Sequence, residues 1–343
     1  MLALVILQVV GDESGSDGEN LSSATHRTFS YGTTALSLAE AHEIVVQTRE
    51  ALGSTKAEAR QGSELKASKL FKKHRDVAES LFLPGGPLAA TSSIYLADKV
   101  KFLAGKMISL LVEEHEHSLG KPSAIHMQGY YADEMTDRVL PALDERTRVE
   151  LLSSFNALCK SYKVPFAPSG RADRFVKALR VANVAGAHDR RASQILARLW
   201  DARREAYEIE ADDSVTLDLD PMLPTMLVVA TTWHHRFNGA EFEIHIDEYR
   251  QLTPLMFEVI KSVASSLYGV QLQDIVQANS ATDPRVQIAD WIAGAGRIAA
   301  GEVLSGTPSR LSDLVRPLVD GDSMRSPDSV LQQWLDGGTS FGA

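Results

Sequence analysis

The N-terminal stretch constrains the fold most, because an apolar run ends there abruptly in acidic residues. Residues Leu2–Val10 are rich in Val, Leu and Ile, and Gly11, Asp12 and Glu13 follow directly. The run lacks the basic residues and the cleavage site of a secretion signal, and it is much shorter than the roughly 20 residues of a membrane span. Its length and composition are those of a buried strand. We therefore predict a core strand over 2–10 and a polar turn over 11–20 that presents two carboxylates.

Charge and cysteine content exclude several classes of protein. The 343 residues have a formal net charge of −10, which excludes a globally basic nucleic-acid coat. A nuclease stays compatible with this charge, because a carboxylate site that binds metal ions is itself acidic. The single cysteine, Cys159, excludes an internal disulfide and a cysteine-based zinc site, and it fits a cytoplasmic protein. No membrane segment is predicted, since no uncharged apolar stretch is long enough.

Periodicity predicts strands and helices in alternation, which is typical of an α/β protein. Ser37 is a predicted N-cap, and Gly53 a predicted stop, for the first helix. Between 130 and 215 the pattern is helical almost throughout and indicates a helical insertion. The Ser-, Pro- and Gly-rich residues 306–343 predict a peripheral C-terminal tail, after a main domain over 1–305. Predicted strands cover 27–36, 91–97 and 242–247, with a short strand end over 61–67, and further helices cover 69–81 and 100–116.

Two Asp-Pro pairs mark further helix starts. Asp220-Pro221 precedes apolar residues at helical spacing that end at Asn238-Gly239, although a hairpin turned at Asn238-Gly239 is an alternative. Asp283-Pro284 predicts a helix over 284–300. That helix carries a face of small residues, which would let it lie close to a sheet.

Acidic residues lie at the ends of several predicted elements. Carboxylates at strand ends and on a helix that crosses the sheet can converge on one cleft, where they would bind Mg²⁺ or Mn²⁺. Two such ions about 4 Å apart can bind the attacking and leaving oxygens of a phosphoryl transfer. Helix caps and turns use the same residue types, which is the alternative for each candidate. The candidates are Asp12 and Glu13 after the first strand, Asp247 and Glu248 after a late strand, Asp290 three residues beyond Gln287, and Glu64.

Two motifs resemble the signatures of the DUF3800 family. GDESGSDG, residues 11–18, contains an Asp-Glu pair after the first strand, and QIADWIAGAGR, residues 287–297, contains Gln-x-x-Asp. The stretches SELKAS, LDPMLPTMLV and IHIDEYRQLT, and the strand that ends in Asp98-Lys99, also look familial. The resemblance covers about residues 1–300 and is weakest between 130 and 213.

The resemblance implies a ribonuclease H-like fold, which is a mixed sheet flanked by helices. In that plan one Asp comes from the first strand, one acid from a later strand and one from a helix that packs across the sheet. Asp12, Asp247 and Asp290 match these positions and would bind the metal. Glu64 or Glu13 would complete the set, and Asp98 competes with Asp247 for the later-strand position.

Three further residues have expected roles around that metal. Gln287 would orient Asp290 or a bound water, as residues behind a metal ligand do. Lys66 and Lys99 would contact a phosphate, unless each is a solvated surface lysine. Further basic residues, among them Arg171, Arg174 and Arg180, put positive charge on the helical insertion that could follow a nucleic-acid backbone.

These observations predict a metal-dependent phosphodiesterase that cleaves nucleic acid with a water activated by Mg²⁺ or Mn²⁺. One alternative is a non-catalytic binding or scaffold protein on the same fold, and another is a hydrolase of a small phosphate ester or nucleotide. DNA and RNA, endonuclease and exonuclease, and monomer and homo-oligomer all stay open at this point. The expected catalytic residues are Asp12, Glu13, Asp247 and Asp290, and the expected supporting or phosphate-contacting residues are Glu64, Lys66, Lys99, Glu248 and Gln287.

Overall fold

A mixed β-sheet lies at the centre of the protein. The computed structural model describes residues 6–16, 20–22, 26–61, 64–121, 125–160, 170–211, 219–249 and 252–338. In these residues the strand order is β3-β2-β1-β4-β5, with β2 antiparallel to β1 and β3, and with β4 and β5 parallel to β1. The protein is therefore α/β, as predicted. The strands are β1 (Leu7–Ser14), β2 (Thr28–Thr34), β3 (Ser92–Asp98), β4 (Phe242–Asp247) and β5 (Leu272–Ala278).

The first strand differs from its prediction at its C-terminal end. It continues through Gly11, Asp12 and Glu13 to Ser14, because β2 supplies antiparallel partners as far as the pair Ser14 and Ser30. The predicted turn at residue 11 is therefore wrong, and both carboxylates are part of the strand. Residues 1–5 of the predicted strand lie outside the described residues.

Helices cover both faces of the sheet. On one face lie α1 (Leu38–Ala51), α3 (Ala67–Lys73) and α15 (Pro284–Leu304), packed against β3 through Ile94 and Leu96. On the other face, α13 (Met222–Arg236) and α14 (Pro254–Tyr268) pack against the alternate residues of the strands, Val9 and Ile244 among them. The strands β2 and β3 are thus buried on both sides, whereas β5 at the sheet edge exposes Gln273 and Asp274.

Predicted helix starts are confirmed at three places. Ser37 forms a capping box with Glu40 at the start of α1. An Asp220 carboxylate oxygen accepts a hydrogen bond from the Met222 amide, and α13 then continues to Arg236, so that the hairpin alternative is wrong. The Asp283 side chain caps α15, which ends four residues later than predicted, at Leu304.

The long helix α15 lies unusually close to the sheet, as its small residues predict. A methyl group added at Gly32 of β2 would lie 2.3 Å from the Ala293 nitrogen and 2.6 Å from the Ala289 carbonyl oxygen. An added methyl at Gly296 would lie 2.6 Å from Ile94 and from the Ser30 hydroxyl. Glycine is therefore required where the helix and the sheet touch.

The helices between β3 and α13 pack around an apolar core of their own. This core contains Phe155, Phe175, Leu179 and Leu199, and it also includes residues of the helix that begins at Lys99. The helices and π-helical turns of this region are α5 (Lys99–Met107), a π-helical turn (Ile108–Glu113), α6 (Glu114–Ser118), α7 (Ile125–Glu134), a second π-helical turn (Met135–Val139), α8 (Leu140–Ala142), α9 (Glu145–Leu158), α10 (Arg171–Ala185), α11 (Arg190–Asp201) and α12 (Glu205–Ala211).

The C-terminal segment is not peripheral, which corrects the prediction. Its helices α16 (Arg310–Val315) and α17 (Val330–Leu335) bury Leu311 and Trp334 completely in the core beneath α15. Isolated bridges also join this segment to the sheet edge, between Ile94 and Val319 and between Ala97 and Met324. The segment therefore covers the outer edge of β3, which would otherwise expose unpaired backbone groups.

Two other regions differ from prediction. Instead of a strand end over 61–67 and one helix over 69–81, three short helices occur: α2 (Lys56–Gln61), α3, and α4 (Arg75–Ser80). The strand β5 and the helix α14 were not predicted, although Thr253-Pro254 is a cap followed by Pro that marks the start of α14. Within the described ranges, no helix is both long and apolar enough to cross a membrane.

Candidate metal centre

Asp12 and Asp247 lie side by side on neighbouring strands. β1 and β4 run parallel with Gly11 opposite Ile246, so the next residue of each strand is an aspartate. Adjacent parallel strands are about 4.8 Å apart, and residues in register point to the same face. The sheet therefore brings together two acids that are 235 positions apart in sequence.

Asp290 approaches the same place from α15. The helix runs along β1, since Arg285 donates to the Gln8 side chain at 2.8 Å near one end and Arg297 donates to the Ser14 hydroxyl at 2.9 Å near the other. Asp12 is paired with Gly32, against which α15 packs. Asp12 therefore faces the helix that carries Asp290.

The electrostatics agree with this convergence. Asp12 is only 6% exposed, and its pKa lies well above the usual value of 3.8. Burial is the main cause, and the negative charges of Glu13, Asp290 and Asp247 raise the pKa further. Burial also raises the pKa of Asp290, although a hydrogen bond from the Ala67 amide and the charge of Lys66 oppose the shift. The predicted acids thus form one group with strong mutual repulsion.

Glu13 joins this group through Asp12. Burial raises the pKa of Glu13, a hydrogen bond with Asp12 lowers it in part, and the charges of Asp247 and Asp220 raise it. A carboxylate with a raised pKa can exchange a proton closer to neutral pH than an exposed one.

The Gln-x-x-Asp-Trp motif on α15 holds the segment Leu65–Ala67 in place. The Gln287 side-chain oxygen accepts from the Leu65 amide at 3.1 Å, and the Trp291 indole donates to the Leu65 carbonyl at 2.6 Å. Asp290 accepts from the Ala67 amide at 2.7 Å. The Gln287 oxygen therefore positions this segment. Its buried Nε2 has no hydrogen-bond partner among the described residues, so the predicted contact with Asp290 or a water stays a prediction.

That segment, together with Glu64 just before it, brings Lys66 close to the acidic group. Lys66 pairs with Glu64 at 2.5 Å. Burial alone would lower the pKa of Lys66, but its hydrogen bond to Glu64 and the charges of Asp290 and Asp12 raise it overall. An ammonium group thus lies near the carboxylates, where it can meet an anionic substrate.

Other predicted residues lie elsewhere. Asp98 caps α5 and forms an ion pair with Arg27 at 2.8 Å. Its partner on β2 is Thr28, four residues from Gly32, the partner of Asp12. Asp98 is therefore not the acid that the sheet places beside Asp12. Lys99 is buried next to Asp98, and Glu248 follows Asp247 with its side chain exposed.

Basic residues of the insertion are partly neutralised by ion pairs. Arg174 pairs with Glu150 at 2.9 Å, and the Arg171 guanidinium lies 3.9 Å from Glu210. The positive track that the sequence indicated is thus weaker at these two positions than a count of arginines suggests.

Two groups near the site were missed by the sequence reasoning. The Tyr31 hydroxyl is fully buried and, among the described residues, has no hydrogen-bond partner, although Glu13 and Asp12 are close enough to raise its pKa after burial. Tyr31 lies opposite Glu13 in the register of β1 and β2, which a correct pairing of the two strands would have shown. Arg297 follows Asp290 by seven residues, two helical turns, and this spacing was a signal for it.

The donor set suits a hard divalent cation. Carboxylate oxygens are the ligands that Mg²⁺ and Mn²⁺ prefer, and a cation would relieve the repulsion among Asp12, Asp247 and Asp290. Within the residues that the structure describes, no three His, Cys, Asp or Glu side chains already have the spacing of a formed metal site.

Comparisons with known proteins gave no match, whether with family models, with curated proteins or with solved structures.

Proposed function

We propose that the protein is a metal-dependent phosphodiesterase that cleaves nucleic acid, on a ribonuclease H-like fold. The convergence of the buried Asp12 with the half-buried Asp247 and Asp290 supports this proposal most strongly. Those three carboxylates come from the first strand, a later strand and a helix packed across the sheet, in agreement with the plan that the resemblance to the DUF3800 family implies.

The position of the acids would otherwise be unfavourable for folding. Like charges that are brought together in a protein interior destabilise the fold, and the neighbouring acids raise the pKa of Asp12 beyond the effect of its burial. Helix capping does not explain Asp12, because it lies inside a strand. A cation that binds to the group explains why the chain retains it.

Each residue has a distinct role in the proposed site. Asp12, Asp247 and Asp290 would hold Mg²⁺ or Mn²⁺, which when bound would polarise the phosphate and lower the pKa of a water. Glu13 would accept a proton from the attacking water. Lys66 would contact a phosphate oxygen of the substrate. Gln287 and Trp291 position the segment that carries Lys66.

The direct test measures cleavage of labelled nucleic acids. Purified protein is incubated with single-stranded DNA, duplex DNA and RNA in the presence of Mn²⁺, of Mg²⁺, or of a chelator. Asp12→Asn and Asp290→Asn should each lower the cleavage rate by at least a hundredfold, since each removes a metal-ligand charge. Glu241→Gln is the matched control, because its side chain is exposed just before β4, at the opposite end of that strand from Asp247, and the change should leave the rate unchanged.

Binding of the metal is measured separately by calorimetry with Mn²⁺. Wild-type protein should bind Mn²⁺, and Asp12→Asn should bind it at least tenfold more weakly. Equal cleavage by wild type and both Asn variants would identify a contaminating nuclease and refute the assignment. If the protein did not bind Mn²⁺, the alternative of a non-catalytic binding or scaffold protein would be favoured. If it cleaved mononucleotide esters but no nucleic acid, the alternative of a small phosphate-ester hydrolase would be favoured.

A further inference from the structure

A cavity away from the carboxylates lies where the sheet meets the helical insertion. Its volume is about 460 Å³, which falls in the range of small-molecule sites. Its walls come from the start of β2, the start of α5, the segment around α8, and α9. Lys99 follows Asp98, whose partner on β2 is Thr28. Thr28 lies four residues from Gly32, the β2 partner of Asp12, and this separation is about 13 Å at the rise of a strand.

The charged residues that line this cavity are all basic. They are Arg27, Lys99 and Arg148, and no carboxylate among the described residues lines it with them. Lys99 is 2% exposed, which is rare for a lysine because burial of an ammonium group is costly. Asp98, just outside the lining, offsets the charge of Arg27, and the remaining basic side chains of the lining attract an anion.

One of the basic groups, Arg27, is held in position before any ligand arrives. Arg27 donates to both oxygens of Asp98, from Nε at 3.3 Å and from Nη2 at 2.8 Å, so the plane of its guanidinium is fixed. Asp98 is itself 1% exposed and caps α5. Arg148, by contrast, has no side-chain hydrogen bond or ion pair within the described ranges, and its guanidinium is available to a ligand.

The remainder of the lining is mostly aliphatic. Leu103, Leu140 and Leu152 are buried in the wall, and Val149 lies at the surface. Ser22 also lines the cavity, and its amide and hydroxyl both donate to the Asn156 side chain, which ties this wall to α9. The lining thus combines aliphatic and cationic side chains, which suits an organic anion.

We propose that this cavity binds a small organic phosphate monoester. A monoester carries close to two negative charges at neutral pH, which matches several cations better than a carboxylate does, and guanidinium groups bind phosphate oxygens in pairs. Arg27, Lys99 and Arg148 contact the phosphate, and the aliphatic wall covers the organic group. This site is independent of the proposed nuclease activity.

Calorimetry tests the proposal directly. Phenyl phosphate and adenosine 5′-monophosphate are titrated into the full-length protein in the presence of a chelator, with inorganic phosphate, benzoate and phenol as comparisons. The background is Asp12→Asn, which removes binding through a metal at the carboxylate centre. Both esters should bind saturably, about tenfold more tightly than inorganic phosphate or benzoate, and phenol should not bind.

Variants locate the binding. Arg148→Gln should weaken ester binding by about tenfold or more, as expected for loss of a charged hydrogen bond. Val149→Glu places a negative charge at the cavity mouth and should weaken it similarly, and since Val149 is 54% exposed the fold should tolerate the change. Arg146→Gln is the matched control, because Arg146 lies on the same helix but lines a different groove, and it should bind as well as the background protein.

Several results would overturn the proposal. These are the absence of saturable binding by either ester, equal binding by Arg148→Gln and Arg146→Gln, and binding of inorganic phosphate or benzoate as tight as that of the esters. Cleavage assays do not enter this test, so its failure is distinguishable from a failure of the nuclease assignment.

Discussion

Replacement of Gly32 by alanine tests the contact on which the whole candidate site depends. Gly32 is the β2 residue opposite Asp12, and α15 packs directly on it. The new methyl group would lie 2.3 Å from the Ala293 nitrogen and 2.6 Å from the Ala289 oxygen. Both atoms belong to the helix backbone, so a side-chain rotation cannot relieve the overlap.

The cost follows from the displacement that the methyl requires. Ordinary contacts of this kind begin at 3.4 Å, so α15 must retreat by about 1 Å. Overpacking of this kind costs about 1–3 kcal/mol, and the lower entropy of an unfolded chain with Ala offsets about 0.5 kcal/mol. We expect a loss of about 2 kcal/mol in the free energy of unfolding. The same retreat moves Asp290 away from Asp12 and should weaken Mn²⁺ binding.

Urea unfolding followed by circular dichroism measures the stability, and calorimetry measures the affinity for Mn²⁺. Gly301→Ala is the matched control on the same helix, because no atom lies within 4 Å of the added methyl. It should stabilise the protein by up to about 1 kcal/mol through helix propensity. If Gly32→Ala unfolded at the same urea concentration as wild type, α15 would not pack on β2 as described, and the geometry of the site would be refuted.

Three further perturbations have defined outcomes. Asp12→Asn should stabilise the metal-free protein near pH 7, because burial and the neighbouring acids raise the pKa of Asp12 in the folded state. Between the ordinary pKa of 3.8 and the raised value, only the unfolded state loses the proton. The stability of the wild-type protein therefore falls as the pH rises through this range. Urea midpoints for both proteins should therefore separate from about pH 4 upward, and a constant difference at all pH values would contradict the assignment. Trp291→Phe removes the donor to the Leu65 carbonyl and should cost about 1–3 kcal/mol in the same assay, whereas an unchanged midpoint would show that this hydrogen bond does not hold the segment. Trp334→Ala should lower the free energy of unfolding by about 3–5 kcal/mol, because the side chain is fully buried. A loss below about 1 kcal/mol would show that the C-terminal segment is peripheral, as the sequence predicts.

Errors in the predicted elements have specific causes. The polarity of Gly11, Asp12 and Glu13 indicated a turn, but strand length depends on the partners available, and β2 pairs as far as Ser14. The Ser-, Pro- and Gly-rich tail looked peripheral because its buried residues are few and widely spaced. They are nevertheless large, as Trp334 illustrates, and they fill the space beneath α15.

Local chemistry was readable from the sequence alone. Ser37 and the Asp-Pro pairs specify helix starts through their own side chains and rings, so no distant residue is needed to predict them. The alternation of Phe242, Ile244 and Ile246 specifies a strand, and the small residues of α15 specify a helix that can approach a sheet. The candidate acids were found in the same way, because each lies at or near the end of such an element.

Tertiary structure alone decided which candidates meet. Asp98 and Asp247 both end strands in sequence, and only the strand order puts β4, and with it Asp247, beside β1. The role of Gln287 also depended on packing, since its partner Leu65 is 222 positions away. Strand order and register are set by the burial of all the strands together. The hydrophobic pattern of one strand does not indicate which distant strand it pairs with.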